Sequence, residues 1–199
     1  MPSTDEIINI LKNGGVGIIP TDTQYGIVTQ ALKKDAVEKV YFLRKRSPDK
    51  PFIILISNIA DLKLFGIELD NKTSAFLQTI WPNPVSVILP ISSNDLAYLH
   101  RGTNSLAFRI PNNPELLNLL KETGPLIAPS ANIEGHPYAK SVTEAKEHFK
   151  DTVDFYDDKG IIESNPSTLI KIGDEGIEIL RQGSFPAIDL PKTLSDMIE

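Results

Sequence analysis

In a chain of net charge −6, residues 44–50 collect four cations: Arg44, Lys45, Arg46 and Lys50. A guanidinium offers a two-pronged fork to a carboxylate or phosphate, and an ammonium offers a point charge. A local positive island therefore suits an anionic ligand. The same cluster also suits a solvated helix end, where cations complement the dipole. Taken alone, these residues leave both readings open. Three further groups could join such a site. The turn 20–26 crowds Thr21, Asp22, Thr23 and Tyr25 together directly after an apolar segment. It reads equally as a ligand loop or as a turn whose side chains bond their own backbone. Arg109 lies on an alternating segment, so it is aimed from a strand rather than frayed on a loop. Held rigidly it would anchor an anion; on the surface it would form an ordinary ion pair of little energetic weight. Ser130 and Asn132 are two apart and point the same way in any extended segment.

Helices and short strands must position these groups. Residues 3–13 read as a helix with Ser3 and Glu6 at capping-box spacing, ended by Gly14 and Gly15. A buried strand over 16–19 leads into the polar turn. A helix over 34–43 delivers the chain to the cationic loop, and the apolar run 52–56 reads as a strand buried on both faces. Helices follow at 58–65 and 71–80, with Trp81 in a packing role and a strand over 85–90. On strand 105–110, Leu106, Phe108 and Ile110 face one way and Ser105, Ala107 and Arg109 the other. Asn113, Pro114 and Glu115 open a helix that Gly124 closes. A strand over 126–128 precedes the loop of Ser130 and Asn132. Ser141 and Glu144 have the spacing of a capping box for a helix to Lys150. Phe155 and Tyr156 end a short strand, and 169–172 and 177–180 form a hairpin through 173–176. Residues 186–199 read as a tail with an amphipathic turn or two. Ligand sites of open α/β sheets lie at the carboxyl ends of strands, where these polar loops fall.

Composition narrows the chemistry. The 199 residues contain no cysteine, which excludes disulfides and thiolate metal sites. The three histidines, His100, His136 and His148, are far apart in sequence and argue against a histidine metal site or a Ser-His-Asp triad. Neither common glycine-rich nucleotide motif is present. No apolar run reaches membrane-span length, and the N-terminus does not read as a signal peptide. A cytoplasmic, non-membrane protein with one domain over residues 1–199 is the expectation. From the residues alone, the sequence describes an α/β domain with a basic, hydroxyl-lined cleft and specifies no reaction.

Seven blocks in fixed order add a resemblance. They are 20–26, 44–52, 81–86, 105–111, 128–137, 165–170 and 179–183. Together the chain resembles the YrdC-like family, the threonylcarbamoyl-AMP synthases. The resemblance implies an α/β fold, a twisted open mixed sheet with flanking helices around a concave cleft. It implies an enzyme, a nucleotidyltransferase that makes threonylcarbamoyl-AMP and pyrophosphate from L-threonine, bicarbonate and ATP. The product would serve tRNA threonylcarbamoyladenosine modification next to the anticodon, through a downstream tRNA threonylcarbamoyl transferase complex. Mg2+ would ride on the phosphates, with no protein metal ligand. Contact with tRNA or double-stranded RNA belongs to the same implication, and the chain length resembles the short form of the family.

Position by position, Arg44, Arg46, Ser130 and Asn132 match the family's catalytic basic and S-x-N tetrad. Arg46, Lys50, Ser105, Ser130 and Arg181 match positions that meet ATP. Thr23, Arg109, Ala128 and Ser167 match positions that meet threonine. Three departures stand out: Arg44 where Lys is usual, Asn83 where glycine is usual, and Gln24 where an apolar residue is usual. Because Arg and Lys are not interchangeable, Arg44 leaves room for a non-catalytic RNA-binding member of the fold; a carbamoyl-transfer module is a second alternative.

Overall fold

The computed structural model describes residues 2–173 and 176–190. Helix α1 (Thr4–Lys12) begins at the expected capping box: Ser3 Oγ accepts from Glu6 N–H, and the Glu6 carboxylate accepts from Ser3 N–H. That backbone bond holds the Glu6 carboxyl below its ordinary range. Strands β1 (Gly17–Pro20) and β2 (Tyr25–Gln30) form an antiparallel pair around the polar turn. Helix α2 (Lys34–Arg44) leads to β3 (Ile53–Leu55). A 3-10 helix (Ile59–Phe65), α3 (Asn71–Ile80) and β4 (Val85–Pro90) follow. Trp81 is buried, and its Nε1 donates to the Val85 carbonyl at 2.7 Å. After a short helix α4 (Ala97–His100) come β5 (Ser105–Arg109), α5 (Pro114–Thr123) and β6 (Leu126–Ile127). The chain continues through α6 (Val142–Phe149), β7 (Phe155–Tyr156), β8 (Thr168–Gly173) and β9 (Gly176–Arg181).

The strands make one mixed sheet in the order β7-β1-β2-β6-β3-β5-β4-β8-β9. The pairs β1–β7, β3–β5 and β4–β8 are parallel. Both faces are covered, and the period of two along each central strand divides the apolar side chains between them. Ile18, Ile27, Ile54 and Ile127 join α2, α3 and α6 in the larger core. Their neighbours Ile19, Val28, Leu55 and Leu126 join α1 and α5 in the smaller one.

Several expectations are corrected. The chain leaves the polar turn directly as β2, a strand that the run of hydroxyl and amide side chains concealed. Arg44 is not on a loop: it is the last residue of α2 and is 3% exposed. The reason is a left-handed turn. Lys45 has φ 49°, its N–H bonds the Phe42 carbonyl, and the Arg46 N–H bonds the Tyr41 carbonyl, the paired closure that ends helices in this conformation. His136 and His148 are neighbours in space, with ring centroids 5.9 Å apart, because the loop after β6 folds back on α6. Ser141 caps α6, but Glu144 accepts from Lys140 N–H, so the box is not closed. Of the expected 173–176 turn, residues 174 and 175 lie outside the described residues, as does the tail from 191 onward. Residues 187–189 form a 3-10 turn.

The β1–β7 seam requires a residue without a side chain. A Cβ on Gly17 would lie 2.1 Å from the Phe155 ring. Gly17→Ala is expected to destabilise the protein by about 1–3 kcal/mol through overpacking. Urea denaturation checks this as a lowered midpoint with an unchanged slope.

Candidate functional site

A cavity of about 400 Å3 opens on the cleft side of the sheet, within the size range of small-molecule sites. Arg44, Arg46, Arg109 and Arg181 all line it, and among the described residues no carboxylate does. Each guanidinium arrives from a different part of the chain and is restrained by a neighbour.

The end of α2 supplies Arg44. Its Nε donates to the Asn132 carbonyl at 2.9 Å, and its Nη2 reaches Asn132 Oδ1 at 2.9 Å and Ser130 Oγ at 3.3 Å. Ser130 Oγ donates to the same Asn132 Oδ1 at 2.7 Å, so the two residues do point the same way. The Asn132 amide is fixed in turn by the carbonyls of Ile133 and His136. The loop carrying Ser130 runs beside β2: Ile27 N–H bonds the Pro129 carbonyl and Ala131 N–H the Tyr25 carbonyl. Burial pushes the Arg44 guanidinium down to about 10, and Arg46 adds to the effect; it stays charged at neutral pH.

Arg46 follows the left-handed turn. Its Nη1 meets Glu134 at 3.0 Å, while Lys50 reaches the same oxygen at 3.2 Å. Glu134 also accepts from Ser47 N–H at 2.7 Å, and that bond leads in holding its carboxyl below the ordinary range. Both Arg44 and Arg46 lie within 6 Å of the Phe52 ring, at 5.8 and 5.9 Å, within cation–π range.

Arg109 projects from β5 and is 4% exposed. Its Nη2 lies 3.1 Å from Asp22, and its Nη1 donates to Thr23 Oγ1 at 3.1 Å. Asp22 Oδ1 makes no aligned hydrogen bond, so this is a charge contact rather than a directional one. The other Asp22 oxygen accepts from Asn112 N–H. Burial lowers the Arg109 guanidinium and Asp22 opposes the shift. In the turn itself, Thr21 Oγ1 accepts from Thr23 N–H and Gln24 N–H and donates to the Gln24 carbonyl. The turn thus bonds its own backbone through Thr21, while Thr23 reaches Arg109. Arg181, at the end of β9, donates to the Ser167 carbonyl from Nε and Nη2 and to Ser167 Oγ at 3.2 Å.

Of the sequence candidates, Thr23, Arg44, Arg46, Ser105, Arg109, Ala128, Ser130, Ser167 and Arg181 line the cavity. Asn132 lies behind it, as the support of Arg44, and Lys50 points outward to Glu134. Arg109 does not present a free fork, because Asp22 and Thr23 take two of its nitrogens. Asp22, Glu134 and Phe52 were not singled out as site residues, yet they hold three of the four cations. The pairings of Asp22 with Arg109 and of Glu134 with Arg46 bridge distant parts of the sequence and leave no local periodicity to read, whereas Phe52 is close in sequence to both of its cations. Gln24, buried against the Ser164 carbonyl at 3.1 Å, also lines the cavity.

Among the described residues, the Nε atoms of Arg46 and Arg109 are buried with no hydrogen-bond acceptor. Among the described residues there is no group of three or more His, Asp or Glu that could hold a metal ion. The lining residues therefore do not fit a protein-ligated Mg2+.

Comparison with known proteins gives a consistent result. The Sua5/YciO/YrdC family profile, described as "Telomere recombination", matches residues 9–183. The threonylcarbamoyl-AMP synthase of Bacillus subtilis (strain 168) is 32% identical over 92% of this chain and 54% of its own length. The putative threonylcarbamoyl-AMP synthase of Methanocaldococcus jannaschii is 31% identical over 91% of this chain and 87% of its own. The crystal structure of P. abyssi Sua5 complexed with L-threonine superposes with a TM-score of 0.87 at 26% identity, over 98% of this chain and 57% of that one. The chain thus spans little more than half the length of the Bacillus and Pyrococcus proteins.

The Asp22–Arg109 contact yields a stability prediction. Asp22→Asn leaves a buried cation without its counter-charge and is expected to cost about 3–5 kcal/mol. Pairing it with Arg109→Met should recover much of that loss in urea melts, because both charges are then gone.

Proposed function

This chain belongs to the Sua5/YciO/YrdC family, and from that premise we propose that it is an L-threonylcarbamoyladenylate synthase. It joins L-threonine, bicarbonate and ATP into threonylcarbamoyl-AMP and releases pyrophosphate, as a nucleotidyltransferase. The observation that carries this reading is the cavity itself. Four guanidinium groups converge, with no carboxylate among the described lining residues, beside the small and hydroxyl-bearing Thr23, Ala128 and Ser167. A polyphosphate and an amino-acid carboxylate are both anions, and both would find donors here.

In this reading Arg46 and Arg181, near Ser105 and Ser130, meet the nucleotide phosphates and offset the charge that develops as pyrophosphate leaves. Lys50 meets the triphosphate only by turning from Glu134. Arg109, its Nη2 held by Asp22 and its Nη1 by Thr23, meets the threonine carboxylate. Arg44, with Ser130 and Asn132, orders the wall between the two substrates. No protein nucleophile is needed, because the carbamate oxygen attacks the α-phosphorus; catalysis is positioning plus electrostatics. Mg2+ enters with the nucleotide, and no step is assigned to it. One domain over residues 1–199, a cytoplasmic setting, tRNA contact and a downstream transferase complex belong to the same proposal.

Pyrophosphate release, measured with each substrate omitted in turn, tests the reading. Release that needs both threonine and bicarbonate supports it. RNA binding without such release would replace it with the non-catalytic alternative. Arg46→Ala removes one charged contact, typically about 1.5–3 kcal/mol, so kcat/KM for ATP should fall about tenfold to a hundredfold. The melting midpoint should stay near that of the parent. Unchanged kinetics would remove Arg46 from the nucleotide site.

A further inference from the structure

Among the described residues, the cavity lining contains no Asp, Glu, His, Lys or Cys, and apart from the four arginines its one titratable side chain is Tyr25. The Tyr25 hydroxyl is engaged on both sides, donating to the Gly160 carbonyl at 2.8 Å and accepting from Lys159 N–H at 3.0 Å. Burial raises it above its ordinary value. Nothing in the lining is suited to take a proton at neutral pH. Yet the synthase reading, on which this inference rests, requires an amine nucleophile, and threonine in water carries an ammonium.

We infer that the cavity activates its amino-acid substrate by its positive field rather than by a base, accepting threonine as the free amine and excluding the ammonium. Every charged group facing the cavity wall points this way. From α2 comes Arg44, whose contacts are all neutral oxygens. From β9 comes Arg181, held by the Ser167 carbonyl and hydroxyl. Arg46, after α2, and Arg109, on β5, each have a carboxylate, but Glu134 and Asp22 lie outside the lining. Burial leads in lowering Arg44 and Arg109; Arg46 adds to the first and Arg181 to the second, while Glu134 and Asp22 oppose from behind the lining. An added ammonium would meet the same repulsion with no carboxylate in contact to relieve it, so its proton stays with the solvent.

The step that follows balances without a protein base. The amine lone pair forms the N–C bond to bicarbonate, the C–O bond breaks, and the departing hydroxide takes the proton from nitrogen as water. The carbamate left behind is an anion, which the same four cations favour. One field therefore disfavours the protonated reactant and favours the product.

Titration of isotopically labelled L-threonine bound to the full chain, followed by nitrogen NMR, tests this. The protonation midpoint of bound threonine should lie at least about one pH unit below that of free threonine, a tenfold or greater rise in the free-amine fraction. Arg181→Gln should move that midpoint upward, and Arg181→Lys, which keeps the charge, should restore it. A bound midpoint at or above the free value, or one indifferent to Arg181→Gln, overturns the inference and leaves the synthase reading standing. No threonine binding at any pH overturns both.

Discussion

Four like charges held around one cavity repel each other, and the structure around the site depends on how that repulsion is contained. Each guanidinium is gripped: Arg44 by Asn132, Arg46 by Glu134 and Arg109 by Asp22, all outside the lining, and Arg181 by the Ser167 carbonyl at the rim. Two of these grips are charged and two neutral, and the charged ones stand behind the wall. The cavity therefore keeps its positive character inside an acidic protein. A carboxylate in the lining would have neutralised the feature that makes the site useful to an anion.

The sheet makes this containment possible. Its strands are short, and both faces are sealed by helices, so the polar loops at the strand ends rest on a rigid floor. Arg109 comes from β5, whose alternation also sends Ser105 and Ala107 to the cavity. Ser130 is steadied because its loop continues the hydrogen bonding of β2 past the end of β6. The hairpin β8–β9 brings Ser167 and Arg181 to the rim together, and that pairing is direct.

Much of this was legible in the sequence. The caps of α1 and α5, the alternation over 105–110 and the shared direction of Ser130 and Asn132 follow from local rules, and the structure agrees with them. The α/β class came from the residues themselves; the twisted mixed sheet and the family came through the ordered blocks. What stayed hidden involves partners distant in sequence. Asp22 looks like a turn residue until Arg109 is placed against it, and Glu134 looks like a loop acid until Arg46 and Lys50 arrive. Asn132 has the right type and spacing for the cavity, yet its amide is used up by loop carbonyls behind it. Strand β2 was obscured because its first residues share a polar turn, and its pairing with β1 and β6 overrides that composition.

The left-handed turn at Lys45 sets how this segment can vary. It separates Arg44, on the last turn of a helix, from Arg46, on the loop beyond. Both nevertheless sit near the face of Phe52. The Lys45 side chain is exposed and takes no part, so its identity is nearly free within what the backbone geometry permits. The number of residues is not free. One residue inserted or deleted here would rotate one cation away from the other, whatever residue was chosen. Within this segment the site is tolerant of spelling and intolerant of length, so relatives should differ at position 45 while the spacing of its two flanking cations stays fixed.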